Sequence, residues 1–255
     1  MPNLPPFIVA IPARYASTRL PGKPLLPIAG VPMVLHVARR ALDAGAAEVV
    51  VAVDDARIAQ ALQGTPVRVV MTRANHVSGS DRLAECAEQL QWPDDAIVVN
   101  LQGDEPLAPP SGIQTVAAAL TQTDAPMATL VTPVQTLQEF ENPNCVKVVA
   151  STDGHALYFS RAPVPWPRDA FGGPYPALPD GVPMLRHIGI YAYRAGFLRT
   201  FSRLPPTPLE RAESLEQLRV LEHGYRIAVR IAPEPFPAGV DTPEDLARVR
   251  AWLEQ

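Results

Sequence analysis

The 255-residue sequence predicts an α/β fold: a doubly wound, mostly parallel sheet with helices on both faces and a small antiparallel extension. Three observations predict it. In the first half, short apolar runs rich in β-branched residues alternate with segments of helical period, the pattern of successive βαβ units. The runs are apolar on both faces, as strands buried between two helical layers must be. After residue 145 the rhythm changes to strand-like stretches with few helices between them.

The strands predicted in the first half are FIVAIPA (7–13), EVVVAV (48–53), VRVVM (67–71), AIVVNLQ (96–102) and PMATLVT (126–132). Between the first two, PMVLHVARRALDAG places Val34, Val37, Ala38, Ala41 and Leu42 on one helical stripe, and Gly45 stands where a C-terminal cap belongs. SDRLAECAEQLQ (80–91) and SGIQTVAAALTQ (111–122) start with Ser or Asp caps. Ligands of such sheets gather beyond the carboxyl ends of the strands, which brings together the loops 14–32, 72–80 and 103–110. Farther on, VKVVAS, ALYFSRA and IGIYAYRA read as an antiparallel insertion around 146–195, a candidate dimer surface. The chain closes with a helix over 208–222, a strand RIAVRIA and a helix from DTPEDLARV, with Asp241 as cap and Pro243 in its first turn. Residues 1–255 read as one domain.

With 47% hydrophobic and 19% charged residues the chain can bury a substantial core. Its net charge of -4 excludes a broad basic surface for nucleic acid, so any cationic site must be local. No uncharged apolar stretch reaches the roughly 18–20 residues that span a bilayer, and MPNLPP has neither part of a signal peptide. Cys86 and Cys145 lack metal-ligand spacing and suggest no disulfide framework, which fits a reducing cytoplasm. The 30 prolines exceed the usual share of about 5% and cluster in loops, notably 163–183, where they stiffen connections.

The first loop, RYASTRLPGKPL (14–25), is where charge concentrates. Arg14, Arg19 and Lys23 can hold a polyphosphate, and Gly22 lets backbone approach a ligand closely. Pro24 stands where a Walker A loop needs a magnesium-binding Ser or Thr, and the dinucleotide fingerprint G-x-G-x-x-G is absent. Carboxylates must then come from elsewhere. Asp104 in QGDEP emerges at the carboxyl edge, where Mg²⁺ would find an oxygen ligand. Asp241 is a second candidate, although alone it reads as a helix cap. TRANHVSGSDR (72–82) offers Arg73, His76, Ser78 and Gly79, with Ser80 read as a cap, Arg82 as solvated and His76 in isolation as an ordinary loop residue. In RHIGIYAYR, His187 reads as a packed strand residue. Glu210, Glu213 and Gln217 share one helical face, more often a solvated stripe than a site. No Ser-His-Asp or Cys-His order stands out.

Taken in series, RYASTRLPGKPL, TRANHVSGSDR, NLQGDEP, FSRAPVPW, RHIGIYAYR, LEQLRVLEHG and GVDTPEDL resemble the 3-deoxy-manno-octulosonate (Kdo) cytidylyltransferases, also called CMP-Kdo synthetases. The likeness runs from about residue 7 to the final helix, with one departure at Asn75, where that family often has Asp. The resemblance implies a Rossmann-like, nucleotide-diphospho-sugar transferase-like fold and the reaction CTP + Kdo → CMP-Kdo + diphosphate with Mg²⁺, in the cytoplasm, by a homodimer that serves lipopolysaccharide synthesis. It implies that Arg14 and Lys23, with Arg19, steady the triphosphate, that Gly22, Arg73, His76, Ser78 and Gly79 complete the nucleotide site, and that Asp104 and Asp241 hold metal. Gln102, Arg161, His187, Tyr191, Glu210 and Gln217 form the implied sugar set. A cytidylyltransferase for 8-amino-Kdo or another acidic sugar is the alternative, with Glu210 or Glu213 as partners for an ammonium. A non-catalytic regulator on this fold should have lost Lys23, Asp104 or Asp241, and all three are present.

Overall fold

A computed structural model describes residues 4–17, 19–171 and 178–253; Thr18 of the first loop and part of the proline-rich stretch lie outside the described residues. The chain begins with β1 (Phe7–Ala13), a 3-10 turn (Lys23–Leu25), β2 (Pro27–Ile28), β3 (Val31–Pro32), α1 (Met33–Asp43), β4 (Glu48–Val53) and α2 (Ala56–Ala61). It continues through β5 (Arg68–Met71), α3 (Gly79–Gln89), β6 (Ile97–Asn100), α4 (Pro110–Ala119), β7 (Met127–Pro133) and α5 (Leu137–Glu141). Then come β8 (Lys147–Ala150), β9 (Ala156–Ser160), α6 (Arg168–Phe171), β10 (Leu185–Arg194) and α7 (Ala195–Phe201). The last elements are α8 (Pro208–Glu213), α9 (Gln217–Glu222), β11 (Ile227–Ile231) and α10 (Pro243–Leu253).

The main sheet runs in the order β11-β7-β10-β6-β1-β4-β5. Strand alternation divides its core into two layers. Val9, Ile11, Val49, Val51 and Val53 face α1, α2 and α4 through Val34, Val37, Ile58, Ile113 and Val116. Ala10, Val50, Ala52 and Val98 face α3, α7 and α9 through Leu83, Phe197, Leu198 and Leu218. Burial of each large aliphatic side chain contributes about 1.5–3 kcal/mol, and both faces gain it, hence the doubly apolar strands.

Three expectations need correction. The strand-rich segment 146–195 is not all extension: β10 enters the main sheet antiparallel between β6 and β7, pairing Tyr191 with Asn100 and His187 with Val131. Among the described residues only β8 and β9 lie off the main path, β8 pairing Leu185 and Arg186. Reversed direction carries the start of β10, with His187, to the edge where β7 ends. The helix predicted over 208–222 is two, broken where Ser214 adopts φ 52°, a left-handed conformation that ends α8. Caps differ as well. Ser78, not Ser80, caps α3 by accepting from Asp81 N at 3.1 Å, and α4 starts after Pro109, with Ser111 already inside it.

Candidate active site

β1 ends at Ala13 and releases the chain into the first loop at the carboxyl edge of the sheet. Gly22 holds φ +66°, and a Cβ there would sit 3.2 Å from the Tyr15 hydroxyl, so the turn needs glycine twice over. The following 3-10 turn aims Lys23 inward. Its Nζ donates to Asp104 Oδ2 at 2.5 Å and to Asp241 Oδ1 at 3.1 Å, and Arg19 Nη2 reaches the same Asp241 oxygen at 3.1 Å. These partners are 81 and 218 residues from Lys23. What joins them is packing: Leu20, Ile28 and Met33 cluster with Val240, Leu246 and Val249 of the last segment, and the Arg250 guanidinium donates twice to Pro27 O.

Close backbone approach sets the two carboxylates. At Gly103 a Cβ would lie 2.7 Å from Pro12 O, and at Gly239 one would lie 3.0 Å from Asp104 O. Val240 N donates to Asp104 O at 2.8 Å, a backbone tie that sets the Asp241 segment beside Asp104. Asp241 is not the cap of α10. Thr242 Oγ1 accepts from Asp245 N, while Asp245 Oδ2 accepts from the backbone N–H groups of Asp241 and Thr242. This reciprocal cap serves the helix and frees the Asp241 carboxylate for the cavity. Burial, with Asp104 and Asp241 nearby, pushes the neighbouring Glu105 carboxyl up to about 8.

A cavity of about 330 Å³ results, bordered by Arg14, Ser17, Arg19, Lys23, His76, Ser78, Gly79, Arg82, Gln102, Asp104 and Asp241. Loops after β1, β5 and β6 thus meet as the carboxyl-edge rule predicts. Of the predicted nucleotide residues, Gly22 shapes the loop behind the cavity without bordering it, and Arg73 lies outside it. It turns to an adjoining cleft and pairs with Glu85 through both its backbone N–H and Nε at 3.2 Å. His76 lies between the two, its Nε2 against the same Glu85. Arg82 is not solvated: 3% exposed, it pairs with Asp54 at 2.9 Å and lies at the cavity edge. Asp54 and Ser17 escaped the sequence reading, although Asp54 follows β4 at the same sheet edge.

The predicted sugar set is only partly assembled. Gln102 borders the main cavity and donates to Asn100 Oδ1 at 3.1 Å. His187 borders a second cleft of about 660 Å³ that shares Asp241 with the first and also holds Glu105, Gln138, Asn142 and Arg186. The His187 ring packs against Phe159 and Tyr191, and its burial drops the imidazole to about 3. Burial raises the Tyr191 phenol likewise. Arg161 is fully engaged elsewhere, donating to Glu213 O at 2.6 Å and Pro143 O at 3.0 Å. Glu210 is not a free acceptor: it closes the cap of α8 and grips Arg219 with both oxygens. Glu213 accepts from Ser160 and Arg161, so neither carboxylate awaits an ammonium. Gln217 is buried rather than solvated, with Nε2 unpartnered, and the neighbouring Glu216 has one unpartnered oxygen while the other accepts from Ser80 at 3.2 Å. Burial pushes the Glu216 carboxyl up. Orphaned buried donors and acceptors of this kind suit a polyhydroxylated ligand. Glu216, one position before Gln217 in LEQLRVLEHG, carries the unpartnered carboxylate oxygen that Glu210 lacks.

Comparison with known proteins shows the family. The cytidylyltransferase family is matched over residues 8–227. A 3-deoxy-manno-octulosonate cytidylyltransferase of Stenotrophomonas maltophilia (strain K279a) is 61% identical over 249 residues, covering 97% of each chain. Another, of Xanthomonas campestris pv. campestris (strain B100), is 62% identical over 248 residues, covering 97% of this chain and 88% of that one. A solved structure of CMP:2-keto-3-deoxy-manno-octonic acid synthetase complexed with CTP superposes with a TM-score of 0.88 at 44% identity, covering 98% of this chain and 99% of the other. The chain belongs to the 3-deoxy-manno-octulosonate cytidylyltransferases.

Proposed function

We propose that the protein activates Kdo for lipopolysaccharide synthesis by transferring CMP from CTP, releasing diphosphate. The observation that carries this reading is the convergence of Lys23, Arg19, Asp104 and Asp241 at one end of a cavity whose volume, about 330 Å³, falls within the roughly 300–1,000 Å³ usual for small-molecule sites. The anomeric hydroxyl oxygen of the sugar attacks the α-phosphorus. As that bond forms, the bond to the bridging oxygen of the β-phosphate breaks, diphosphate leaves with the electron pair, and the hydroxyl proton passes to solvent. Such transfers depend on positioning and charge neutralisation rather than a protein nucleophile. Arg14, Arg19 and Lys23 hold the triphosphate and offset the charge growing on diphosphate. The first turn of α3, with Ser78 and Gly79, lends N–H groups to the nucleotide.

Asp104 and Asp241 fit a magnesium ion. Two carboxylate oxygens converge on a single cation, here the Lys23 ammonium. Among the described residues no group of three or more His, Cys, Asp or Glu could hold a metal, so the remaining ligands would be substrate oxygens and water, as Mg²⁺ prefers. Bound there, Mg²⁺ would lower the pKa of an adjacent hydroxyl and neutralise phosphate charge. Gln102, His187, Glu216 and Gln217 are the residues proposed for the sugar; Arg161 and Glu210 would have to leave internal partners to join them.

We further propose a homodimer through the β8–β9 projection, where Leu157 is 60% and the nearby-in-sequence Trp166 64% exposed. A monomer mass by light scattering at micromolar concentration would refute it. The two cysteines are unpaired and buried, in keeping with a cytoplasmic setting, and no described helix is long and apolar enough to cross a membrane. Diphosphate release tests the reaction: CTP with Kdo should give it, and UTP or sialic acid should give far less. A higher kcat/KM with 8-amino-Kdo or sialic acid would overturn the named sugar.

A further inference from the structure

Asp54 is the first residue past β4, and its side chain is only 7% exposed. Each of its oxygens serves a different element. Oδ1 accepts from Tyr15 N at 2.8 Å, in the loop that carries Arg14 and Lys23. Oδ2 accepts from Arg82 Nη2 at 2.9 Å, on α3, whose first turn borders the same cavity. Arg82 is itself anchored through Nη1 to Thr72 Oγ1 at 2.5 Å, and Thr72 Oγ1 donates back to Val53 O at 3.0 Å. Tyr15 passes the constraint onward: its ring lies 3.5 Å beneath the Arg57 guanidinium, and its hydroxyl lies 3.2 Å from where a Cβ on Gly22, the residue before Lys23, would sit.

We propose that Asp54 is a positioning residue that holds the two walls of the nucleotide cavity in register, the first loop through Tyr15 N and the start of α3 through Arg82. The proposal rests on the nucleotide reading above. A buried ion pair is a weak way to gain stability, because apolar residues of similar volume often serve as well. It does fix one geometry, and here the geometry fixed is the separation of the loop cations from Ser78 and Gly79. Binding groups displaced by about 1 Å can cost about 100-fold in rate.

The test is steady-state kinetics on Asp54→Asn, which keeps the shape and an acceptor for Tyr15 N but sets an amide against Arg82. KM for CTP should rise and kcat/KM for CTP should fall roughly 10- to 100-fold, with KM for Kdo within two-fold of wild type. A purely structural role would lower the melting temperature and the yield while leaving both KM values alone. Should Asp54→Asn not fold, Arg82→Lys carries the same test, since it keeps the charge and loses the fork. Hydrogen exchange at the Tyr15 amide should stay slow in Asp54→Asn and become fast in Asp54→Ala. A folded Asp54→Asn or Arg82→Lys with KM for CTP and kcat within two-fold of wild type, or an equal rise in both KM values, overturns the proposal. If the wild-type protein binds CTP by calorimetry yet releases no diphosphate with Kdo, the assigned reaction fails. The Kd for CTP then replaces KM in the same comparison.

Discussion

Asp241 and Thr242 are neighbours whose substitutions should have opposite consequences. Asp241→Asn removes the charge opposite Arg19 and Lys23. Arg19 and Asp241 are 64% and 54% exposed, so solvent screens that pair, and Lys23 retains Asp104 at 2.5 Å. The stability change should therefore be about 0–1 kcal/mol, a melting shift of about 0–4 °C for a domain of this size. Turnover should fall about 10²–10³-fold or more, the effect of losing one group that stabilises transition-state charge. Thr242→Ala does the reverse. It removes the hydroxyl that accepts from Asp245 N, at a cost of about 1 kcal/mol within the 0.5–2 range for N-caps, and it leaves the carboxylates in place. Its kcat should stay within a few-fold of wild type. Thermal melts and diphosphate release on both variants at saturating Mg²⁺ measure all four quantities. Near-normal turnover in folded Asp241→Asn would refute its assignment to metal, and a loss of about 2 kcal/mol, the upper end for an N-cap, would restore it as the helix cap.

Lys23→Ala leaves Asp104 and Asp241 without the cation they share, and it should lower both kcat and CTP affinity; unchanged kcat/KM for CTP would return the loop to an ordinary solvated surface. Gly103→Ala puts a methyl 2.7 Å from a backbone oxygen, so backbone must move; the cost should be about 1–3 kcal/mol, seen as a melting temperature lower by several degrees, with activity reduced because Asp104 moves too. His187 should control part of the acid limb of stability. Its folded imidazole titrates near 3 against about 6.5 unfolded, so the unfolded chain binds the extra proton between those values. The contribution is complete above pH 6.5 and is lost as pH falls, by about 2 kcal/mol between pH 6.5 and 5. Melts of wild type and His187→Gln across that range should converge as pH falls, and parallel curves would refute the assignment. Chelation of Mg²⁺ should abolish diphosphate release with little change in melting temperature, since the two carboxylates keep Lys23 as partner.

Local pattern determined much of this protein. Period and apolarity placed the strands and most helices because burial on two faces leaves a direct mark on composition, as in EVVVAV. The edge rule, applied to loops 14–32, 72–80 and 103–110, put Lys23, Ser78 and Asp104 around one cavity before any coordinates did. What local pattern could not carry was competition between partners. Asp241 and Thr242 are equally good caps in one dimension, and only the approach of Lys23 across 218 residues decides which of them is free. Glu210 and Gln217 share a helical face only if 208–222 is one helix. The left-handed turn at Ser214 turns Glu210 toward Arg219 and buries Gln217 beside Glu216. Arg82 looks solvated in sequence, since arginine usually is, and is buried on α3 because Asp54 awaits it at the end of β4. The sense of β10 reads as antiparallel in the sequence, but its place does not, because an apolar alternating strand suits an extension and the main sheet equally. Pairing with β6 and β7 placed it inside the main sheet and so set His187 at the edge where β7 ends. Helices and strands answer to their own residues, whereas caps, ion pairs and strand placements answer to whichever distant group arrives.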